Sequence, residues 1–213
     1  MGGRAGGGAS GGMGSGSRGG LSGRARELAN KYLGGVSDPK LKKELADGMA
    51  AFEKEFGIPV FGNGAGRGGL TVSVQDLGPT TAASVNGMGH LVVNSRFTTG
   101  ELPMSHAKHS MIHELTHGLD KTNAFNLTNG EWSSKGGGKF VVKKENKGFD
   151  RKLTAAYKQF KKNYGSTQTK QIGSYALKNK HEFFAEAVAS HMTGTKNNYT
   201  TFAYNLAKSM SGK

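Results

Sequence analysis

The sequence predicts an α+β domain built on a small, mostly antiparallel sheet. Three observations carry that expectation. Helical apolar spacing occupies both ends of the chain, three short alternating segments lie between residues 70 and 95, and no βαβ alternation connects them. The first twenty residues contain eleven glycines and no apolar run. Residues 1–22 therefore read as a disordered Gly/Ser-rich arm, and the folded domain begins at residue 23. Within it, 23–120 is expected to form a lobe of sheet and central helix, and 121–213 a helical lobe.

Each element has a local reason. Residues 24–33 form a short helix stopped by Gly34-Gly35. Asp38 then caps a second helix with Pro39 at its first position, carrying Leu41, Leu45, Met49 and Phe52 on one face as far as Gly57. Residues 70–77, 82–86 and 90–95 read as strands, the last two joined in hairpin fashion through Gly87-Met88-Gly89. Ser105 to Leu119 is a helix by the stripe Met111, Ile112, Leu115 and Leu119. Residues 120–148 read as a polar surface excursion around Gly136-Gly137-Gly138, with one strand at 139–142. Helices recur at 149–164, 180–192 and 199–210.

Composition removes several classes of function. With no cysteine, disulfides and thiolate metal sites are absent, so a bound metal must be held by His and carboxylate. No run of 18 apolar residues predicts a membrane span. Residues 1–20 lack the apolar stretch of a secretory signal, and Gly6 stands where a myristoylation motif wants Ser or Thr. The expected location is accordingly the cytoplasm, a virion, or delivery by a leaderless route. The net charge of +14 favours a polyanionic contact such as nucleic acid, against the alternative of a solvated basic face; lysines are densest between residues 135 and 180.

The chemistry is expected on the central helix. Residues four apart share a helix face, so His113 and His117 can turn both imidazoles to one ion, with Glu114 beside the metal as general base. A catalytic zinc takes a third protein ligand, and Glu182 is the best downstream candidate. Glu182 and Glu186 lie four apart inside the apolar run Phe183, Phe184, Ala185, Ala187 and Val188, where a buried carboxylate needs a cation. The alternative is a solvated pair balanced by Lys178 or Lys180. Glu186 and Asp120 are candidates to orient a ligating imidazole, and Asp120 has the alternative of ending the helix. His109, one turn before His113, is assigned a supporting position because a straight helix cannot bring three successive turns to one ion.

The segment His113-Glu114-Leu115-Thr116-His117-Gly118-Leu119-Asp120, followed by Ser174-Tyr175 and Glu182-Phe183-Phe184-Ala185-Glu186-Ala187, resembles the catalytic domain of anthrax lethal factor and its relatives. Those relatives include the Pro-Pro endopeptidases and metallopeptidase domains linked to phage head-morphogenesis proteins. The resemblance implies a zincin-like fold of the gluzincin type and one zinc ion per chain, held by His113, His117 and Glu182. It further implies Glu114 as the base and Tyr175 as the oxyanion stabiliser in hydrolysis of a peptide or protein substrate. In zincins the substrate strand pairs with a sheet edge, so residues His90, Leu91, Val92, Val93 and Asn94 are expected to cradle it. The interval between His117 and Glu182 looks longer than in lethal factor, which suggests an insertion at 136–147. The competing readings are a virion or nucleic-acid-associated structural protein that keeps the fold, and a delivered toxin or effector protease.

Overall fold

The computed structural model describes residues 21–61, 69–120, 122 and 144–211. Residues 1–20 of the expected arm at 1–22, the strand at 139–142 and most of the expected insertion lie outside the described residues, whereas Ser22 of that arm caps the first helix.

Helices α1 (Gly23–Tyr32) and α2 (Pro39–Phe56) open the fold. Asp38 accepts from the Leu41 backbone N–H at 2.7 Å, and Gly57 ends α2 at φ 78°. Such a cap contributes about 1 kcal/mol. Strands β1 (Thr71–Gln75), β2 (Ala83–Val85) and β3 (His90–Asn94) form one sheet in the order β1-β3-β2. The β2–β3 hairpin is antiparallel, closed by Asn86, whose side-chain oxygen accepts from the N–H groups of Met88 and His90. The β1–β3 pair is parallel, with Thr71 opposite His90 and Gln75 opposite Asn94. The sheet is therefore mixed, which corrects the mostly antiparallel expectation. The chain lays β2 on the far side of β3, so β1 and β3 meet running the same way.

After the short helix α3 (Arg96–Thr99) comes α4 (Ser105–Leu119), at the bounds expected from periodicity. Every residue of α4 from Ser110 to Leu119 is buried, polar ones included. It packs against α2 on one side, where Gly48 permits close approach: a Cβ there would lie 3.0 Å from the Lys108 carbonyl oxygen and 3.2 Å from Met111 Cβ.

The C-terminal part comprises α5 (Lys147–Lys162), α6 (Thr167–Lys170), a 3-10 turn at Ser174–Leu177, α7 (Lys180–Met192) and α8 (Asn198–Ser211). Helix α7 packs on the other side of α4 and buries Phe183, Phe184, Ala187 and Val188 completely. Phe183 meets Phe160 of α5 at a ring-centroid distance of 4.8 Å, so α5 covers the outer side of α7. The buried side chains of both ends of the chain join one hydrophobic cluster around these helices. Among the described residues, no helix is long and apolar enough to cross a membrane.

Candidate active site

Two helix ends build the site. In α4, His113 and His117 stand one turn apart on the face toward α7, and Gly118 lets the helix pass over Phe61. A Cβ on Gly118 would fall 2.5 Å from the Phe61 ring. In α7, Asn179 caps the first turn by accepting from the backbone N–H groups of His181 and Glu182, both at 2.9 Å. That cap fixes Glu182 in the first turn, where the helix dipole favours a carboxylate.

Three donor atoms converge between the helices. His113 Nε2 lies 3.1 Å from Glu182 Oε2 and 3.1 Å from His117 Nε2, and His117 Nε2 lies 3.2 Å from the same Glu182 oxygen. A carboxylate only accepts, so the 2.7 Å contact between His113 Nδ1 and Glu186 Oε2 places the His113 proton on Nδ1. A metal bound between the helices would take the place of any proton on Nε2, whose lone pair would then point to the same place as the donors of His117 and Glu182. A four-coordinate zinc with bonds of about 2.0–2.1 Å needs donors about 3.3 Å apart, and a two-His, one-carboxylate set suits that ion. The cluster fits such a metal.

The electrostatics show the same demand for positive charge. Burial opposes the charged forms of Glu182 and Glu186, yet their imidazole partners hold both well below the ordinary carboxylate range. Burial likewise opposes a charged His113, but the hydrogen bonds to Glu182 and Glu186 outweigh it and push its pKa up to about 10. Glu114 differs: burial pushes its carboxyl up, against the pull of His113 and His117, and the Val85 backbone N–H donates to it.

The supporting residues are distributed as follows. Glu186 bridges His113 and His109, accepting from His109 Nε2 at 3.2 Å through its other oxygen. His109 also reaches Thr193 Oγ1 at 3.3 Å and lines the cleft. Asp120, fully buried, ends α4; its side chain accepts from His181 Nδ1 and from the N–H and hydroxyl of Thr122. Tyr175 stands on the 3-10 turn, 48% exposed, with its ring centroid 5.9 Å from that of His113. Lys178 donates to the Tyr175 oxygen at 3.3 Å and lies 3.7 Å from Glu182 Oε1.

A cleft of about 600 Å3 opens onto Glu114 and His113, bounded by Thr80, Ala83, Lys170 and Tyr175. The expected cradle at His90–Asn94 needs correction. β3 is the middle strand, with β1 and β2 occupying its two sides, so it has no edge to offer. The edge toward α4 belongs to β2. Ala82 and Asn86 bond to β3, so the alternation of an antiparallel pair turns the backbone groups of Ala83 and Val85 outward. Asn94 serves the cleft indirectly: its buried amide donates to the carbonyls of Gly78 and Thr81 and shapes the loop before β2.

Sequence reasoning did not single out Ala83, His181 or Lys170 for the site, and it named Lys178 only as a charge partner of Glu182 and Glu186, of which Glu182 is the one it approaches. The order of strands would have identified Ala83. His181 carried a signal in its place beside Glu182, opposite the acidic end of α4.

No curated protein and no solved structure matches the chain. One family model does, that of the glucose-regulated metallo-peptidase M90 family, over residues 79–197. This match carries the metallopeptidase expectation and, with it, that of a metal cofactor, and does not carry the narrower lethal factor-like assignment. The matched residues hold every member of the His/Glu cluster and exceed half of the chain, which therefore belongs to the glucose-regulated metallo-peptidase M90 family.

Proposed function

We propose that the protein is a zinc-dependent endopeptidase of the zincin type, with His113, His117 and Glu182 as the metal ligands. The convergence of three lone-pair donors within 3.1–3.2 Å of one another, next to a buried glutamate, is the observation that carries this reading. Zinc bound there would supply Lewis acidity, acidifying water and polarising a carbonyl.

The chain's own groups supply the rest. Glu114 is the general base: it takes a proton from the attacking water and returns it to the leaving amine. Its burial makes it a competent proton carrier, and the Val85 N–H keeps its carboxylate turned toward β2. The Tyr175 phenol donates to the carbonyl oxygen as negative charge develops there, and the Lys178 ammonium polarises that O–H. Ala83 offers its N–H and C=O to an extended peptide along β2, which lays the scissile bond across the cleft.

Metal analysis together with a peptide-library cleavage assay on wild type and Glu114→Gln tests this reading. It expects about one zinc per chain in both proteins and cleavage by wild type alone. Cleavage by Glu114→Gln at the wild-type rate, or a chain purified without zinc that does not take it up, would sink it.

A further inference from the structure

The stretch from Arg151 to His181 contains eight lysines and arginines and no carboxylate. Much of this charge lies along one exposed line of α5. Lys147, Arg151, Lys158 and Lys162 recur at spacings of four, seven and four residues, all exposed, and among the described residues none enters an ion pair. The nearest carboxylate on the helix, Asp150, is held by Lys180. At 1.5 Å per residue the line is about 22 Å long, the span of about seven residues of extended peptide.

Helix α5 is docked on the turn that borders the cleft. The Tyr157 hydroxyl donates to the Leu177 carbonyl at 2.6 Å, which docks α5 on the 3-10 turn carrying Tyr175. Between α5 and that turn, Lys170 ends α6 and borders the cleft. The carboxylates inside the cleft do not compete for a substrate's charge partner: Glu186 is held by His109 and His113, and Glu114 receives the Val85 N–H. The cleft lining also includes small neutral residues such as Thr80, Thr81 and Ser105.

We propose that the cationic face of α5, continued by Lys170, recruits an acidic segment of the polypeptide being cut, so that substrates carry a run of Asp or Glu near the scissile bond. This rests on the peptidase reading above and names its substrate class. A polypeptide fits better than a nucleic acid. Seven of the eight cations are lysines, which lack the fork that arginine sets on phosphates. Beside them the exposed aromatics are Tyr164 and Tyr175, the latter committed to the cleft, so no stacking platform for bases exists among the described residues.

The test uses the full chain, three peptides sharing one cleavable core, one with neutral flanks, one with six glutamates before the core and one with six after it, and the variant R151E/K158E/K162E. The expected result is a kcat/KM at least about tenfold higher for one acidic peptide at low salt. That advantage falls as salt is raised and disappears in the variant, while cleavage of the neutral peptide is unchanged. Equal rates for neutral and acidic peptides, or equal losses on both in the variant, overturn the proposal. A labelled acidic peptide titrated onto Glu114→Gln reads binding without turnover, so failure of the peptidase reading is distinguished from failure of recruitment. Tighter binding of a duplex oligonucleotide than of the acidic peptide, at matched charge and salt, also overturns it.

Discussion

The buried Asp120 carboxylate, at the end of α4, accepts a hydrogen bond of 2.7 Å from His181 Nδ1, in the first turn of α7. These positions lie three residues after His117 and one before Glu182, so the bond ties together the helix ends that carry the metal-binding cluster. Asp120→Ala leaves the His181 N–H and both Thr122 donors without their acceptor. The expected cost is about 1–3 kcal/mol of stability, read as a lowered urea midpoint. Zinc affinity should weaken by about 10- to 100-fold, read by chelator competition, because Glu182 loses its anchorage. Unchanged zinc affinity in a folded Asp120→Ala would disprove the positioning role.

Tyr175 and Glu114 separate in kinetics. Tyr175→Phe should lower kcat by about 100-fold with little change in KM, since its hydroxyl acts on charge that develops during the reaction. Glu114→Gln should lower kcat by at least about 100-fold. Both variants should keep a full complement of zinc, because neither side chain belongs to the converging donor set.

Gly118 tolerates no side chain. Gly118→Ala drives a Cβ to 2.5 Å from the Phe61 ring, and overpacking of this kind costs about 1–3 kcal/mol. Thermal unfolding of Gly118→Ala alone and combined with Phe61→Leu checks the cause: the smaller partner should recover part of the loss.

The chain should lose stability on mild acidification through His191. Its ring stacks on Tyr204 at 4.4 Å with Nδ1 buried and without a hydrogen-bond partner among the described residues, and burial first, then the charge of Lys196, lowers its pKa below 6.5. A group depressed in the folded state is fully stabilising above its unfolded value of about 6.5, and that contribution is lost as pH falls toward the folded value. His191→Phe should therefore narrow the difference between urea midpoints measured near pH 7.5 and near pH 5. The same difference in wild type and variant would refute the assignment.

The sequence made α4 and α7 legible to the residue, because α4 carries an apolar stripe as far as Leu119 and α7 is an apolar run that begins just after Asn179. It also made the donor set legible, since His113 and His117 are related by one helical turn and Glu182 is a carboxylate in an otherwise apolar run. The sheet was legible strand by strand but not in its order. Asn86 and the glycines of the turn after it specify the β2–β3 hairpin locally, whereas the parallel pairing of β1 with β3 depends on how the chain passes around β2. That missing order is why the cradle was expected on His90–Asn94 instead of beside Ala83. The partner of His181 was hidden for a similar reason: it depends on where α7 lies against the end of α4, and a histidine does not announce its acceptor. Lys178 was legible beside Glu182, four residues on, and the structure adds its contact with Tyr175.

Because the donor atoms come from α4 and α7, a metal at that point would join the two ends of the long intervening segment, from His117 to Glu182, like a removable cross-link. Closing a loop of that length is entropically costly, and a cross-link at its base removes much of that cost from folding. The catalytic centre would then also set the lifetime of the enzyme: a chelator that stops turnover would at the same time open residues 144–181 to attack by other proteases.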